Sequence, residues 1–406
     1  MRDLVLPGIP NIHSHAFQRA MAGLAERQLN PADSFWTWRE LMYRFAGRID
    51  PEAQYDIAAQ LYVEMLEAGY TSVCEFHYLH HQPDGRPYAD PAAMSRAIIA
   101  AARDTGIRLT LLPVLYMSGG FDGRALSERQ RRFGHSVDAY LSLLSTLRAE
   151  QHESLRVGIA LHSLRAVPAD ALAEVLSAIG DAVMPIHIHI AEQTAEVDDC
   201  IAVRGARPVE WLLANAPVDA RWTLVHATHL SDSEMRGIAA SKAVVALCPT
   251  TEANLGDGLF PLREFLALGG RIGIGSDSNV SVSPVEELRW LEYGQRLITR
   301  QRNVGSSAAQ PSAGQNLFEL AIAGGLQSCQ QEGAARDHLV LDADAPALAG
   351  VTPETLHDRF VFAGNRPLLR SVSVAGRVVV ENGRHAQAEA IARRYRGRLQ
   401  ALLTDS

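Results

Sequence analysis

The sequence predicts an α/β fold, a TIM-type (β/α)8 barrel carrying a small β domain. Three observations lead to it. Short, near-continuously apolar runs alternate with longer amphipathic stretches eight times before residue 335. Chemistry-bearing side chains stand at the ends of those runs, where a parallel barrel gathers its active site. Beyond Gly333 the pattern changes to short segments separated by turn residues.

The first run, residues 5–12, is the weakest strand, because Pro7, Gly8 and Pro10 interrupt it. It leads into Ile12-His13-Ser14-His15. Residues 16–50 are too long for an ordinary βα connection. With Phe35, Trp36, Trp38 and Tyr43 they predict a packed helical cap over the barrel mouth that also supplies substrate contacts. Strands are expected at 71–76, 108–115, 156–161, 185–190, 222–226, 243–248 and 271–276, since strands buried on both faces read as continuous apolar runs. Helical spacing covers 53–68, 91–105, 137–149 and 168–180. Residues 305–314, rich in Ser, Ala, Gln and Pro, read as a flexible loop. Segments 337–341, 370–374 and 377–380, the last followed by Glu381-Asn382-Gly383, predict strands and a hairpin turn. Residues 386–403 predict a terminal helix. The expected division is a barrel over 1–335 with its insertion at 16–50, a β domain over 336–385 and a helix over 386–406.

Composition narrows the class. A hydrophobic content of 47% with 21% charged residues fits a soluble globular protein. There is no eighteen-residue apolar run and no basic-then-apolar leader, so no membrane partner is expected. Cys74, Cys200, Cys248 and Cys329 lie far apart in sequence without CxxC spacing, which predicts a reduced, cytoplasmic chain. A net charge of -8 with no long basic run argues against nucleic acid, whose phosphates need clustered Lys and Arg.

Residues two apart on a strand share a face, so His13 and His15 both point towards the barrel axis. Neutral imidazoles bind Zn2+ and similar ions. A pair of satisfied core histidines is the bland alternative, and His189 and Asp277 on later strands weigh against it. His187 repeats the spacing with His189 in Ile186-His187-Ile188-His189. His189 is the preferred ligand because Glu192 follows just past the strand end, and His187 is read as a packing or supporting residue. Glu192 suits proton transfer between water and a substrate nitrogen, against the alternative of a helix-start carboxylate. His226 ends the sixth strand as a further ligand, a proton acceptor or a donor that polarises substrate. His229 is read as a loop residue. Asp277 in Gly275-Ser276-Asp277-Ser278 ends the eighth strand as a ligand and proton acceptor. The fourth strand is followed by Leu161-His162-Ser163 rather than by a lysine that could bridge two ions. One divalent metal ion, Zn2+ first, is therefore expected, with His162 free for substrate.

The pattern resembles the amidohydrolase superfamily, in its mononuclear deaminase branch. The closer likeness is to the formimidoylglutamate deiminases of bacterial histidine degradation. It rests on LPGIPNIHSHAFQRAMAG (6–23), FWTWRELMYRF (35–45), EFHYLHH (75–81), LHSLRAVP (161–168), IHIHIAEQ (186–193), VHATHL (225–230) and GIGSDSNV (273–280). The resemblance implies metal ligands at His13, His15, His189 and Asp277, and proton handling by Glu192, His226 and Asp277. It implies substrate contacts from Gln18, Arg39, Tyr78, His162 and Arg165, with the arginines facing carboxylates. A guanidinium fork suits that task; alone, either arginine reads as a surface or ion-paired residue. The implied reaction converts N-formimino-L-glutamate and water to N-formyl-L-glutamate and ammonia, and a homodimer is implied too. Relatives carry several dozen residues before the first barrel strand, so the small β domain is expected to be N-terminally incomplete, with unpaired edges. Two other readings stay open: a deaminase of nucleobases or related rings using the same metal residues, and a metal-free binding barrel.

Overall fold

The computed structural model describes residues 4–27 and 35–404. The side chains of residues 35–37 and 332 lie outside the described ones, and with them the expected contribution of Phe35 and Trp36 to the cap. In chain order come β1 (Leu4–Pro7), β2 (Ile9–Ser14), α1 (Phe35–Ala46), α2 (Pro51–Ala68), β3 (Tyr70–His77), α3 (Ala93–Thr105), β4 (Arg108–Leu115), α4 (Val137–Arg148), β5 (Leu155–Val157) and β6 (Ile159–Ser163). Next are α5 (Ala169–Ile179), β7 (Ile186–Ile190), α6 (Thr194–Arg204), α7 (Pro208–Asn215), β8 (Trp222–His226), α8 (Asp232–Ser241), β9 (Val244–Leu247), α9 (Pro249–Leu255), α10 (Leu262–Ala267) and β10 (Arg271–Ile274). The chain finishes with α11 (Pro284–Thr299), α12 (Ala313–Cys329), β11 (His338–Leu341), α13 (Leu356–Phe362), β12 (Leu369–Val374), β13 (Arg377–Glu381), β14 (Arg384–His385) and α14 (Ala388–Thr404).

Eight parallel strands, β2-β3-β4-β6-β7-β8-β9-β10, form the barrel, with β5 added to β4. A bridge between Ser14 and Asp277 joins its two ends. There Asp277 N donates to His13 O at 2.9 Å and His15 N donates to Asp277 O at 3.0 Å. Asn11 fastens the same seam. Its Nδ2 donates to Ser276 Oγ at 2.7 Å and its Oδ1 accepts from Ser276 N at 3.1 Å. A Cβ on Gly275 would lie 2.8 Å from His13 Cβ and O, so glycine is what lets the two strand tails approach. The eighth strand stops at Ile274, and Asp277 stands three residues past it rather than on its last residue.

The C-terminus of α12 plugs the barrel interior near the strand starts. Thr110 Oγ1 donates to Cys329 O at 2.9 Å, and His187 Nε2 faces Ser328 O at 3.3 Å. Thr223 Oγ1 donates to Ser328 Oγ at 3.0 Å. Terminal helix carbonyls, which lack partners in their own helix, are satisfied by inward strand side chains. Cys74 and Cys329, remote in sequence, bring their sulfurs within 3.4 Å in this interior as free thiols.

The expected first strand over 5–12 is corrected. Gly8 divides it, and its N–H donates to Asp337 O at 2.8 Å. Leu4–Pro7 pairs antiparallel with β11, Leu4 opposite Leu341, while only β2 enters the barrel. The small sheet, in the order β1-β11-β12-β13-β14, thus receives one strand from before the barrel. Part of the β domain's expected lack of partners is thereby supplied, and β1 and β14 are its edges among the described residues. The expected strand over 156–161 is likewise divided at Gly158 into β5 and β6. Asn382, with φ of 51°, makes the predicted turn between β13 and β14. Residues 305 and 304 donate their N–H groups to Glu292 at 2.7 and 2.9 Å, which ties down the start of the segment read as a flexible loop. Among the described residues no helix is long and apolar enough to cross a membrane.

The barrel and small sheet are joined by a buried ion pair. Arg108 on β4 donates from Nε to Asp337 Oδ2 at 2.7 Å and from Nη2 to Oδ1 at 3.2 Å, and both side chains are fully buried. Asp337 Oδ1 also accepts from Ala375 N at 2.9 Å. Removing one member leaves the other charge buried. Asp337→Ala is expected to lower the unfolding free energy by about 3–5 kcal/mol in urea denaturation; a loss within about 1 kcal/mol, the range of exposed pairs, would show that this pair does not hold the two sheets together.

Candidate active site

At the C-terminal ends of the strands, the side chains of His13, His15, His189 and Asp277 each bring one ligand atom within 4.8 Å of all the others. All four are buried. His13 Nε2 and His15 Nε2 each lie 3.3 Å from Asp277 Oδ1, and His13 Nε2 lies 3.0 Å from His189 Nε2. The far nitrogens explain which atoms face inward. His15 Nδ1 bonds Phe76 O at 2.9 Å and His189 Nδ1 bonds His162 O at 2.9 Å. A carbonyl accepts only, so each Nδ1 carries the proton and each Nε2 presents a lone pair to the centre. Converging lone pairs and a carboxylate repel one another unless a cation lies among them. Burial keeps His15 neutral, down to about 3, and holds His13 and His189 below the usual histidine range too. Burial pushes Asp277 up, but the hydrogen bond and charge of His13, then His15 and His226, outweigh it and keep this carboxyl well below its usual range. Neutral imidazoles with an ionised carboxylate are the donor set a divalent ion takes.

Several backbones here are left-handed without being glycine: Ala191 (φ 51°), His226 (68°), Ala227 (48°), Asp277 (45°) and Asn279 (58°). Such strain persists where surrounding bonds over-determine it. Asn279 Nδ2 donates to Asp277 O at 2.9 Å and His15 O at 3.1 Å. Glu196 Oε1 accepts from Ala191 N at 3.2 Å, and Oε2 accepts from Glu192 N at 3.1 Å. Those two bonds fix the turn that carries Glu192.

His226 occupies the centre of an acidic group. Its Nε2 lies 3.7 Å from Glu192 Oε1 and 3.6 Å from Asp277 Oδ2, and its Nδ1 lies 3.2 Å from Glu252 Oε1. Burial opposes a charge on His226, but the carboxylates of Glu192, Glu252 and Asp277 outweigh it and bring it up to about 10. Burial lifts Glu192 to about 7, against the pull of His226 and Arg165. Asp257 hydrogen-bonds Gln193 and is pushed up to about 9, first by burial and then by Glu192.

A cavity of about 710 Å³, counting its open mouth, lies over these groups. Every candidate substrate residue lines it: Gln18, Arg39, Tyr78, His162 and Arg165. Glu192, His226, Asp277, His15 and His189 line it too, while His13 lies beneath. Gln18 Nε2 donates to Tyr78 Oη at 2.8 Å, and Arg39 Nε donates to Tyr43 Oη at 2.8 Å. Helix α1 supplies Trp38, Arg39, Met42 and Tyr43, so this described part of the long insertion forms one wall. His187 stays on the barrel floor and His229 lies in the loop after β8, as their sequence positions suggested.

Sequence reasoning missed Glu252, Glu196 and Asp257. Glu252 alone carried a usable signal, a carboxylate four residues past Cys248, at a strand end, in Cys248-Pro249-Thr250-Thr251-Glu252. Its Oε1 accepts from Cys248 N at 2.9 Å as well as facing His226.

Residues 4–310 match the amidohydrolase family. The chain is 56% identical, over 96% of its length and 88% of the relative's, to a formimidoylglutamate deiminase of Pseudomonas aeruginosa. The crystal structure of an amidohydrolase from Brucella melitensis superposes with a TM-score of 0.93 at 47% identity, covering 98% of this chain and 90% of that one. An adenosine deaminase from Xanthomonas campestris, solved with bound zinc, shares the fold at 20% identity, with a TM-score of 0.80 over 98% of this chain and 86% of that one. The chain belongs to the amidohydrolase family.

Proposed function

We propose that the chain hydrolyses N-formimino-L-glutamate to N-formyl-L-glutamate and ammonia, a step of histidine degradation. The observation that carries this reading is one cavity lined by two guanidinium groups, Arg39 and Arg165, together with the His/Asp cage and Glu192. Two carboxylates and one amidine are what such a pocket complements. The 56% identity to a formimidoylglutamate deiminase supports it further.

His13, His15, His189 and Asp277 would hold a single ion, zinc first. Bound there, a divalent ion supplies the Lewis acidity that makes water nucleophilic near neutral pH. The residues do the rest. Arg39 and Arg165 grip the glutamate carboxylates, and Gln18, Tyr78 and His162 line the space between them and the reacting carbon. Water adds to the formimino carbon while Asp277, helped by His226, receives its proton. Glu192 pairs with the amidine nitrogen and delivers a proton to it, so the carbon–nitrogen bond breaks with ammonia as the leaving group. Its elevated acidity range, about 7, suits a group that both accepts and returns a proton near neutrality. Glu196 keeps its backbone in place. Cytoplasmic residence and a homodimer belong to the same proposal. The exposed apolar side chains Trp290, Leu297 and Ile298 on α11 support a protein interface.

A second reading, deamination of a ring, draws on the aromatic lining from Trp38, Tyr78, Tyr116 and Phe133. The two arginines weigh against it. Ammonia release from formimino amino acids, set beside release from nucleobases, separates the two. N-formimino-L-glutamate should be the preferred substrate, and faster turnover of a nucleobase would overturn the assignment.

Arg165→Ala should raise KM roughly 10- to 100-fold, the loss of a charged hydrogen bond; near-normal kinetics would remove its assigned role. Glu192→Gln should lower kcat by about 100- to 10,000-fold while the protein stays folded. Stripping the protein with a chelator should abolish turnover, and one equivalent of zinc should restore it. Full activity in the stripped protein would end the metal-dependent reading.

A further inference from the structure

Cys248 ends the seventh barrel strand's run, one residue past β9, and its side chain is fully buried. Among the described residues its sulfur has no hydrogen-bond partner. It nevertheless stands beside two groups of the active site. His226, Cys248 and Asp277 each offer one ligand atom within 4.8 Å of the other two. They come from three consecutive strand ends, His226 closing β8, Cys248 and Asp277 just past β9 and β10, so their closeness follows from the barrel itself.

We propose that His226, Cys248 and Asp277 form a second, inhibitory site for a thiophilic divalent cation such as zinc or cadmium. The inference rests on the reading of His13, His15, His189 and Asp277 as the first metal site.

The geometry supports two ions that share Asp277. Its Oδ1 faces His13 and His15 at 3.3 Å, while its Oδ2 faces His226 Nε2 at 3.6 Å. Ligands about 2.0–2.3 Å from a tetrahedral ion sit roughly 3.3–3.8 Å from one another, so the His226–Asp277 gap already matches. His226 is oriented for it. Glu252 lies at its Nδ1, which leaves Nε2 turned to the centre, the arrangement that carbonyls impose on His15 and His189. A carboxylate in that position also strengthens the imidazole as a ligand. Charge favours a cation, because Glu192, Glu252 and Asp277 surround His226. The thiol supplies what a carboxylate-and-imidazole site lacks, a soft donor that prefers zinc or cadmium to magnesium or calcium. The sulfur–metal bond forms as the thiol proton leaves to solvent, and His226 gives up its Nε2 proton as that nitrogen binds, so Cys–SH, imidazolium and M2+ give a thiolate- and imidazole-bound cation and two H+.

The consequence is inhibition. The second ion takes Nε2 of His226 and the second oxygen of Asp277, the group that receives the attacking water's proton in the proposed reaction and the group that helps it. Substrate and the second ion would then compete for one place.

The test compares the wild-type chain with Cys248→Ala and Cys248→Ser, each first loaded with one equivalent of zinc. Metal content after equilibrium dialysis against excess zinc should rise to two per wild-type chain and stay at one in both variants. Losing the thiolate should weaken the second ion by at least about 100-fold, more than the loss of a supporting contact does. Deiminase activity should fall about ten-fold or more once the second wild-type site fills, and hold in the variants at the same zinc concentration. Co2+ added as the second ion to wild-type protein should produce the near-ultraviolet charge-transfer absorption of a cobalt–thiolate bond. That last readout needs no variant and no substrate, so it separates this inference from the substrate assignment. One zinc per wild-type chain at excess metal, no thiolate band, or equal inhibition of the Cys248 variants would each overturn the proposal.

Discussion

Closure of the barrel between its first and eighth strands is the constraint on which the rest of the site depends. The Asp277 backbone pairs with His13 and His15, and that pairing drives its carboxylate into a ring of imidazoles. A buried carboxylate is tolerated only where charge and hydrogen bonds compensate it. Here a divalent cation held among His13, His15, His189 and Asp277 would supply that compensation. Asn11, Ser276 and Asn279 exist to keep this seam shut, each through buried hydrogen bonds to the opposing strand tail. The fold and the chemistry therefore share one set of bonds.

A second layer of carboxylates decides how protons are held. Glu252 faces His226, and Glu196, at the cavity wall, holds the turn that carries Glu192. Burial raises Glu192 and Asp257, whereas the histidines around Asp277 hold that carboxyl low. The two carboxyls that flank His226, Glu192 and Asp277, are thus pushed in opposite directions, the pattern that proton transfer requires. The barrel floor, where His187 and Thr110 satisfy the end of α12, is far more ordinary, and this contrast separates two histidines that share a strand.

Much of this was legible in the sequence. Strand-end positions are fixed by apolar runs, so His13, His15, His189, His226 and Asp277 could be placed at one mouth without coordinates. That the segment 16–50 contributes to the site, as α1 does at the cavity wall, followed from its length. Arg39 and Arg165 could not be read that way, because whether an arginine meets a surface carboxylate or a pocket is set by tertiary packing; they came only through family resemblance. The first strand was misread because one apolar run serves two sheets, and only Gly8 marks the change. Glu196, Glu252 and Asp257 act through turn geometry, which has no period to betray it. Cys248 looked isolated because the spacing that matters lies across strands rather than along the chain.

Anomalous X-ray diffraction from crystals of the enzyme loaded with one equivalent of zinc tests the metal cage most directly. The predicted result is a single anomalous peak among Nε2 of His13, His15 and His189 and the carboxylate of Asp277. A peak at any other place, or none in crystals that still turn over substrate, would contradict it.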